Sequence, residues 1–248
     1  MSALIKPFPR EAREEFRTAG ATNALLSALP QAEYARLLPH LEPVRLHYNE
    51  VIYECEEPIR HVYFPSSALV SLLSILEDGA TVEVGMVGNC GMTGIAFILG
   101  ASRATNWTVV QVAGDAMRME ARVLRHWFAE GGPFARLLAG YYRALITQIS
   151  QRAVCNVRHM VMQRLCTWLL MAQDRLGSNH LPMTQDLISR RLGSRRASVT
   201  KAACDLQSMG IIDHGRGYIS ITDRRQLEAL ACECYAIISN EHGVAVGA

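Results

Sequence analysis

The sequence contains no hydrophobic run long enough to cross a membrane, although half of its 248 residues are hydrophobic. A membrane-spanning helix needs about 20 consecutive apolar residues, whereas stretches such as residues 94–101 are far shorter. The first residues, among them Lys6, Arg10 and Arg13, also lack the apolar segment of a secretory signal. We therefore expect a cytoplasmic protein with no membrane partner.

Cysteine is sparse, and the residue patterns of common enzymes are missing. Seven cysteines, an odd number, are scattered along the chain, which favours reduced thiols over a disulfide framework. The sequence has no Gly-x-Ser-x-Gly, no Gly-x-x-x-x-Gly-Lys and no His-Glu-x-x-His. His40, His47 and His61 do not form the His-x-His pair of a metal-binding cupin, so a cupin-like metal enzyme is kept only as an alternative. We expect no catalytic residues, no metal site and no required cofactor; haem ligation by a histidine such as His61 stays open.

Charge is low overall but unevenly distributed. The formal net charge is +2, yet residues 157–225 hold eleven basic and five acidic side chains, a net +6, which leaves −4 for the rest. A basic C-terminal third on a modestly acidic body is typical of a protein that brings one domain to a polyanion. On charge alone, a solvated arginine-rich surface without a partner explains the pattern equally well.

Short strand patterns fill the first half of the chain after a helical start. Residues 22–41 have leucines at helical spacing, and from Val44 onward apolar and polar residues alternate in short runs. Turn formers such as Asp78-Gly79 separate these runs, and a last strand pair covers residues 107–112 and 116–119. Many short strands at close spacing predict an antiparallel sandwich or barrel, and with the helices elsewhere an α+β fold class.

From Pro133 the hydrophobic period becomes helical. A narrow apolar stripe consists of Phe134, Leu138, Tyr141, Leu145 and Ile149. The stripe suits two arrangements, packing on the preceding β domain or pairing with its copy in a homodimer, and its resemblance to a coiled-coil seam favours the dimer. We also expect a break near Cys155-Asn156, a second amphipathic helix over residues 161–176 and a frayed tail over residues 240–248.

Residues 181–221 carry the most specific pattern. Thr184 is a good helix N-cap, Asp186 follows in the first turn, and the helix is expected to stop at Gly193. Ser194 is then expected to cap a second helix. The predicted buried face of that helix consists of Val199, Ala203, Leu206 and Met209. Two short helices joined by a glycine-containing turn predict a helix-turn-helix.

The second helix and the hairpin after it suit a DNA groove. Arginines at an exposed helix start can reach base edges, and arginine pairs bidentately with guanine. Residues 210–221 predict a hairpin with Gly215-Arg216-Gly217 at its tip, a wing that places Arg216 near phosphates. The predicted DNA-binding residues are Thr184, Ser194, Arg195, Arg196, Ala197, Ser198, Thr200, Lys201 and Arg216. The alternatives are an ordinary basic helical hairpin and a degenerate winged domain that acts through protein contacts.

The chain resembles the Crp/Fnr family of bacterial transcription regulators over nearly its whole length. The run from Arg195 to Lys201 stands where the family's recognition helix begins, with Arg196 at the guanine-reading arginine and Lys201 at a later basic residue. Ala197 stands where a cytosine-reading glutamate is common, which puts the usual half-site sequence in question. Arg164-Leu165 matches the family's Arg-apolar pair in the helix that leads into the DNA-binding domain.

The resemblance implies a domain order and partners. The domains are an arm (residues 1–21), a jelly-roll-like β-roll sensor (22–132), a dimerisation helix (133–156), a winged helix-turn-helix (157–225) and a C-terminal helix and tail (226–248). The resemblance further implies a homodimer on double-stranded DNA with a near-palindromic operator. It implies a signal received at the β-roll, and contact with RNA polymerase if the protein is an activator.

Cyclic-nucleotide-binding members of this family hold ribose with a Gly-Glu-x-Gly turn and phosphate with an Arg-Ser or Arg-Thr pair about ten residues later. Here the turn lacks the carboxylate, and Ala104 occupies the arginine position. The candidate effector-binding residues are Gly88, Asn89, Cys90, Gly91, Arg103 and Thr105. A cyclic-nucleotide regulator with a shifted phosphate loop is therefore an alternative, and the effector is left unidentified.

Two cysteine features have open roles. Cys90 lies in the glycine turn, where an exposed thiol would be redox-active. Cys232-Glu233-Cys234, together with Cys204 or His214, would make a metal site of unusual spacing. We expect inert thiols at both places. The family's oxygen-sensing iron–sulfur cluster needs cysteines near the N-terminus, and none precedes Cys55.

Overall fold

The computed structural model describes residues 22–246, so the predicted arm over residues 1–21 lies outside the described residues. The described chain begins with two short helices, α1 (Ala24–Ser27) and α2 (Gln31–Leu37), and a 3-10 turn at Leu38–His40. The side chain of Asn23 caps α1 by accepting a hydrogen bond from the Leu25 amide. These elements confirm the helical start predicted for this segment.

Seven strands form the N-terminal β domain within the described residues. Their bounds are β1 (Glu42–Leu46), β2 (Val51–Tyr53), β3 (His61–Pro65), β4 (Leu69–Ile75), β5 (Thr81–Val87), β6 (Trp107–Val112) and β7 (Gly114–Glu120). They make two antiparallel sheets, with strand orders β1-β7-β3 and β2-β6-β4-β5. Apolar side chains from both sheets, including Leu46, Val70 and Val110, cluster together, which confirms the predicted sandwich.

Three helices follow the β domain. The helices α3 (Ala121–Glu130) and α4 (Gly132–Arg158) come directly after β7, and α5 (Val161–Leu176) begins after a two-residue break at positions 159–160. The break thus lies a few residues beyond the predicted position. The helix α5 is buried on nearly all sides, because it contacts both the β domain and the C-terminal helices. Of the helices within residues 22–246, none combines the length and the apolar character needed to cross a membrane.

The apolar stripe of α4 packs within its own chain. Its members Phe134, Leu138, Tyr141 and Leu145 are buried in the core under the β domain, and Ile149 packs against the same core. Tyr141 also donates a hydrogen bond of 2.8 Å to the backbone carbonyl of Met92. The prediction that this stripe forms the dimer seam is wrong, because side chains already covered by the β domain are not available to a second copy.

The C-terminal domain contains three helices and a small sheet. Its elements are β8 (His180–Leu181), α6 (Gln185–Arg191), α7 (Arg196–Ser208), β9 (Ile212–Gly215), β10 (Tyr218–Ile221) and α8 (Arg224–Leu230). The strand order is β8-β10-β9. Leu165 and Trp168 of α5 share one core with Val199, Leu206 and Ile219 of this domain. The predicted helix-turn-helix and the hairpin after it are confirmed as elements of the fold.

A last helix, α9 (Glu233–Val246), packs along α4. Arg143 of α4 lies 3.0 Å from the carboxylate of Glu241, and Arg175 of α5 lies 3.0 Å from Nε2 of the buried His242. Burial, together with the charge of Arg175, lowers the pKa of His242 to about 3. The expected frayed tail is therefore wrong up to residue 246, because this segment docks against two other helices.

A buried polar network connects the β domain to both long helices. Glu83 of β5 is only 1% exposed and accepts hydrogen bonds from Ser71 and, at 2.7 Å, from Nε1 of Trp168. Arg152 of α4 lies 3.8 Å from the same carboxylate. It also donates to the backbone carbonyl of Arg191 at 3.3 Å. We call Ser71, Glu83, Arg152 and Trp168 the junction network, because they tie the β domain to the helix-turn-helix.

Candidate nucleic-acid interface

Capping and turn residues visible in the sequence set the start of α6 and the turn between α6 and α7. The hydroxyl of Thr184 accepts a hydrogen bond of 3.1 Å from the Leu187 amide and so caps α6. Gly193 ends the turn after α6 with a φ of +56°, in the left-handed region where glycine is unstrained. Thr184 is exposed at the start of α6.

Ser194 does not cap α7, contrary to the prediction. Its hydroxyl donates to the carbonyl of Leu192, and its amide bonds to the carbonyl of Ser189, so it closes the turn. The N-cap position is Arg195, and within the described residues no side chain caps α7. The first turn of α7 therefore presents backbone N–H groups and the positive end of the helix dipole to the outside.

One face of α7 is buried, and the opposite face is exposed and basic. Val199, Ala202, Ala203 and Leu206 are buried against α5 and α6. Met209, predicted to join them, is 55% exposed, since it lies beyond the end of α7. We define the reading face as the exposed residues of the first turns of α7. These are Arg195, Arg196, Ala197, Ser198 and Lys201.

The arginine that matches the family's base reader is held loosely by an acidic neighbour. The side chain of Arg196 is 72% exposed, and its Nη1 lies 4.0 Å from Asp186 on α6. The same carboxylate lies 3.1 Å from Arg190, one turn further along α6. Exposed ion pairs of this kind contribute little to stability, so Arg196 can exchange Asp186 for another partner at small cost.

Gln185 connects α7 to the wing, although it is not among the predicted site residues. Its Oε1 accepts a hydrogen bond of 3.0 Å from the Thr200 hydroxyl, and its Nε2 lies 3.2 Å from Nδ1 of His214. Thr200 is half-buried. Its hydroxyl points toward α6 and holds α7 in place through Gln185. No local pattern marks Gln185, because its partners come from two other elements.

The wing, residues 212–221, is a two-stranded hairpin. Gly215 pairs with Tyr218, so the turn consists of Arg216 and Gly217, with Gly217 at a φ of +90°. The tip is thus one residue shorter than predicted. Arg216 is exposed there, two residues from the His214 that contacts Gln185. Through Gln185, which also bonds to Thr200, this contact ties the wing to α7.

Not all of the basic residues in this half face solvent. Arg164, Arg175 and Arg191 are buried. Arg164 donates to the carbonyl of Leu192 and, at 2.9 Å, to Oδ1 of Asn156. Burial lowers the pKa of Arg164 and Arg191. The net +6 of residues 157–225 therefore overstates the positive charge available to a ligand, and the reading face and the wing carry much of what remains exposed.

The predicted effector turn packs against helices. A Cβ added at Gly88 would lie 2.6 Å from the backbone oxygen of Arg175, and one at Gly91 would lie 2.7 Å from the ring of Tyr141. The amide of Asn89 donates to the carbonyl of Arg175 at 3.0 Å. The two glycines therefore allow α4 and α5 to approach the β domain closely, a structural need that accounts for them without a ligand.

The other predicted effector residues lie at a different loop. Arg103 donates to the carbonyl of Glu56, and the hydroxyl of Thr105 donates to Oδ1 of Asn106 at 3.2 Å. Cys90, by contrast, borders a cavity of about 200 Å³ next to α5 and α9, and neither Arg103 nor Thr105 lines that cavity. Burial raises the pKa of the Cys90 thiol, which makes a reactive thiolate at neutral pH unfavourable. Effector binding by these residues stays a prediction.

The Cys-x-Cys pair has other neighbours than those predicted. Cys204 is exposed on α7, and His214 lies in the wing. Cys232 and Cys234 instead meet Cys155 and His159 at the end of α4. A thiol–thiol hydrogen bond lowers the pKa of Cys232 and raises that of Cys155.

These elements define a class of protein: a β-sandwich domain joined by long helices to a winged helix-turn-helix. Residues 163–230 match the Crp-like helix-turn-helix domain family. No curated protein matches the chain. The helix-turn-helix assignment thus has support from sequence as well as from geometry.

Solved structures share the architecture of most of the chain. FixK2 from Bradyrhizobium japonicum is 20% identical, with a TM-score of 0.68 over 77% of this chain and 98% of that chain. A CRP-family transcriptional regulator from Thermus thermophilus is 19% identical, with a TM-score of 0.64 over 76% of this chain and 96% of that one. The c-di-GMP responsive global regulator CLP from Xanthomonas campestris is 15% identical, with a TM-score of 0.60 over 77% and 99%. The chain therefore has the β-roll and helix-turn-helix fold of Crp/Fnr-type regulators, as the sequence predicted.

Proposed function

We propose that the protein is a sequence-specific DNA-binding transcriptional regulator of the Crp/Fnr type. The observation that carries this proposal is the reading face, where basic and small polar side chains are exposed on the first turns of α7 while the opposite face is buried. A recognition helix contacts base edges with its N-terminal residues. The basic surface of a DNA-binding domain neutralises phosphates.

The two arginine positions have different proposed roles. Arg196, on the second helix of the motif, reads a base in the major groove, with guanine as the expected partner. Arg216, at the tip of the wing, contacts backbone phosphate and carries no sequence information. The side chain of Ala197 is a methyl group and has no acceptor for the cytosine amino group, so the half-site differs from one read by a glutamate at this position.

We propose a homodimer that uses the exposed face of α4 instead of the buried stripe. Residues on that face recur at alternating spacings of three and four, the period of a coiled-coil seam. They are Arg136, Ala139, Arg143, Ile146, Ser150, Ala153 and Val157. Val157 is 83% exposed and Ile146 is 43% exposed, so this face offers aliphatic side chains for a second copy to cover.

A two-fold dimer places two reading faces on successive major grooves, about one helical turn of DNA apart. A signal at the β-roll would act by binding one arrangement of the long helices better than another. Contact with RNA polymerase is expected if the protein activates transcription.

Selection from random duplex DNA with the purified full-length chain tests the proposal directly. Enriched duplexes should contain two inverted half-sites whose centres are about 10 base pairs apart. Selection in parallel with cell extract shows whether a small molecule is needed. Enrichment of no duplex under either condition, even at low salt, would reject the proposed function.

The dimer surface is tested by placing a charge on it. Ile146→Glu should make the chain monomeric in sedimentation experiments and reduce its affinity for a two-half-site duplex, because a carboxylate would replace an aliphatic side chain that is buried between the two copies. Leu99→Glu, at a similarly exposed position in the β domain, is the matched control and should leave the dimer intact. If the Ile146→Glu protein stays dimeric, the dimer interface does not include this face of α4.

A further inference from the structure

Three cysteines and a histidine meet at the break between α4 and α5. Their ligand atoms all lie within 4.8 Å of one another. We call them the hinge cluster. Its members are Cys155, His159, Cys232 and Cys234. The three thiols are buried, and the histidine is half-buried.

The spacing in the hinge cluster suits a single tetrahedral ion. Zinc–sulfur bonds of about 2.3 Å at tetrahedral angles place two sulfurs about 3.8 Å apart and a sulfur and a nitrogen about 3.6 Å apart. The sulfurs of Cys155 and Cys232 lie 3.5 Å apart, and Sγ of Cys234 lies 3.6 Å from Nδ1 of His159. An iron–sulfur cluster distributes its ligands over two or more irons and needs a wider site.

The neighbours of the hinge cluster are those of a metal site. Nε2 of His159 lies 3.3 Å from the carboxylate of Glu233, while Nδ1 faces the thiols. A carboxylate on the far nitrogen of a histidine ligand fixes its tautomer and orientation. The hydroxyl of Thr167 lies 3.1 Å from Sγ of Cys232, where it can donate to a thiolate.

We propose that the hinge cluster binds one thiolate-preferring divalent ion of the zinc class. Three thiolates and one imidazole form the Cys₃His set of structural zinc sites, and each thiol releases its proton to solvent on binding. The ion fastens the end of α4 to the start of α9. These elements lie at the break between α4 and α5, where the β domain is joined to the helix-turn-helix.

Cobalt(II) titration of the reduced, chelator-treated full-length chain under anaerobic conditions tests the site. We expect one ion per chain, with the absorption bands of a tetrahedral thiolate complex, and displacement of cobalt by one equivalent of zinc. Metal should also raise the unfolding temperature, because it binds the folded chain. Binding without thiolate-to-cobalt bands, iron with sulfide in the purified protein, or a Cys155–Cys232 disulfide in its place would each overturn the proposal.

Two variants locate the ion. Cys234→Ser should abolish tight binding, and Glu233→Gln should weaken zinc affinity 10–100-fold, because a neutral amide orients the histidine ligand less firmly than a carboxylate while all three thiols stay in place. Because Glu233 is largely exposed, its variant should fold even if Cys234→Ser does not. Cys204→Ser, at the exposed cysteine on α7, is the control and should bind metal normally. Unchanged zinc affinity in Glu233→Gln would argue against the proposed coordination. These measurements involve no DNA, so they stand or fall independently of the proposed function.

Discussion

The reading face and the junction network use charge in opposite ways. On the reading face, Arg195, Arg196 and Lys201 are exposed, and the nearest acid to Arg196 lies 4.0 Å away. In the junction network, Arg152 and Glu83 are almost completely buried. Glu83 accepts hydrogen bonds from β4 and α5, and Arg152 donates one to the end of α6. Charges exposed to solvent can meet a partner at small cost, whereas buried charges depend on their neighbours for stability. Substitutions should therefore affect binding at the first region and folding at the second.

The largest effect is expected in the junction network. Arg152→Met should destabilise the protein by about 3–5 kcal/mol in denaturant unfolding, because it leaves Glu83 as a buried carboxylate without its cationic partner. The double variant Glu83→Gln/Arg152→Met should be less destabilised than the single one, since the orphaned charge is removed. Arg45→Met breaks an exposed pair of 2.8 Å with Asp115 and is the control, with a loss of at most about 1 kcal/mol. Equal losses of unfolding free energy in Arg152→Met and Arg45→Met would contradict the distinction between buried and exposed charges.

The contact between α9 and α5 should be sensitive to acid through His242. Its pKa is about 3 in the folded chain, against 6.5 in an unfolded one, so the unfolded state binds the extra proton in that window. Stability is thus fully present above pH 6.5 and falls by about 1.4 kcal/mol per pH unit as the pH drops towards 3. Denaturant unfolding at a series of pH values should show this slope in the natural chain and a reduced slope in His242→Gln. Parallel curves for the two proteins would contradict it.

On the reading face, Arg196→Ala should change specificity with little effect on folding. We expect a loss of about 1–3 kcal/mol of discrimination between a selected duplex and one altered at the contacted base pair. Arg190→Ala is the matched control, because Arg190 pairs with the same Asp186 but lies on α6. Competition binding measures both. Identical discrimination in the natural chain and Arg196→Ala would remove this arginine from base reading.

The smallest effect is expected at the wing. Arg216→Ala should weaken binding to all duplexes alike and reduce the slope of log affinity against log salt by about 0.9, the value for one phosphate contact. Arg122→Ala, an exposed arginine on α3 outside the proposed dimer surface, should leave the slope unchanged. A loss confined to the selected duplex would instead assign Arg216 to base recognition.

The predictability of the two regions differs for a physical reason. Thr184, Gly193 and the spacing of buried residues in α7 act within a few residues of one another, so the helix-turn-helix is visible in a single sequence. The junction network joins Ser71, Glu83 and Trp168 from distant segments, and no local pattern marks such contacts.

The long helix shows where periodicity stops being informative. The stripe from Phe134 to Ile149 correctly predicted a helix with one apolar face, but the same stripe suits a dimer seam and a covering β domain. Its burial under the β domain decided between them. The exposed face through Ile146 and Val157 then became the candidate dimer surface.

By itself the chain determined the order of its elements, the helix-turn-helix and the basic helix start, since periodicity, capping and turn chemistry act over short distances. Only the tertiary structure decided which face of α4 is buried, which arginines reach solvent, and that Cys155 and His159 join Cys232 and Cys234. Those outcomes depend on how segments far apart in sequence pack together, and a linear pattern carries no record of that packing.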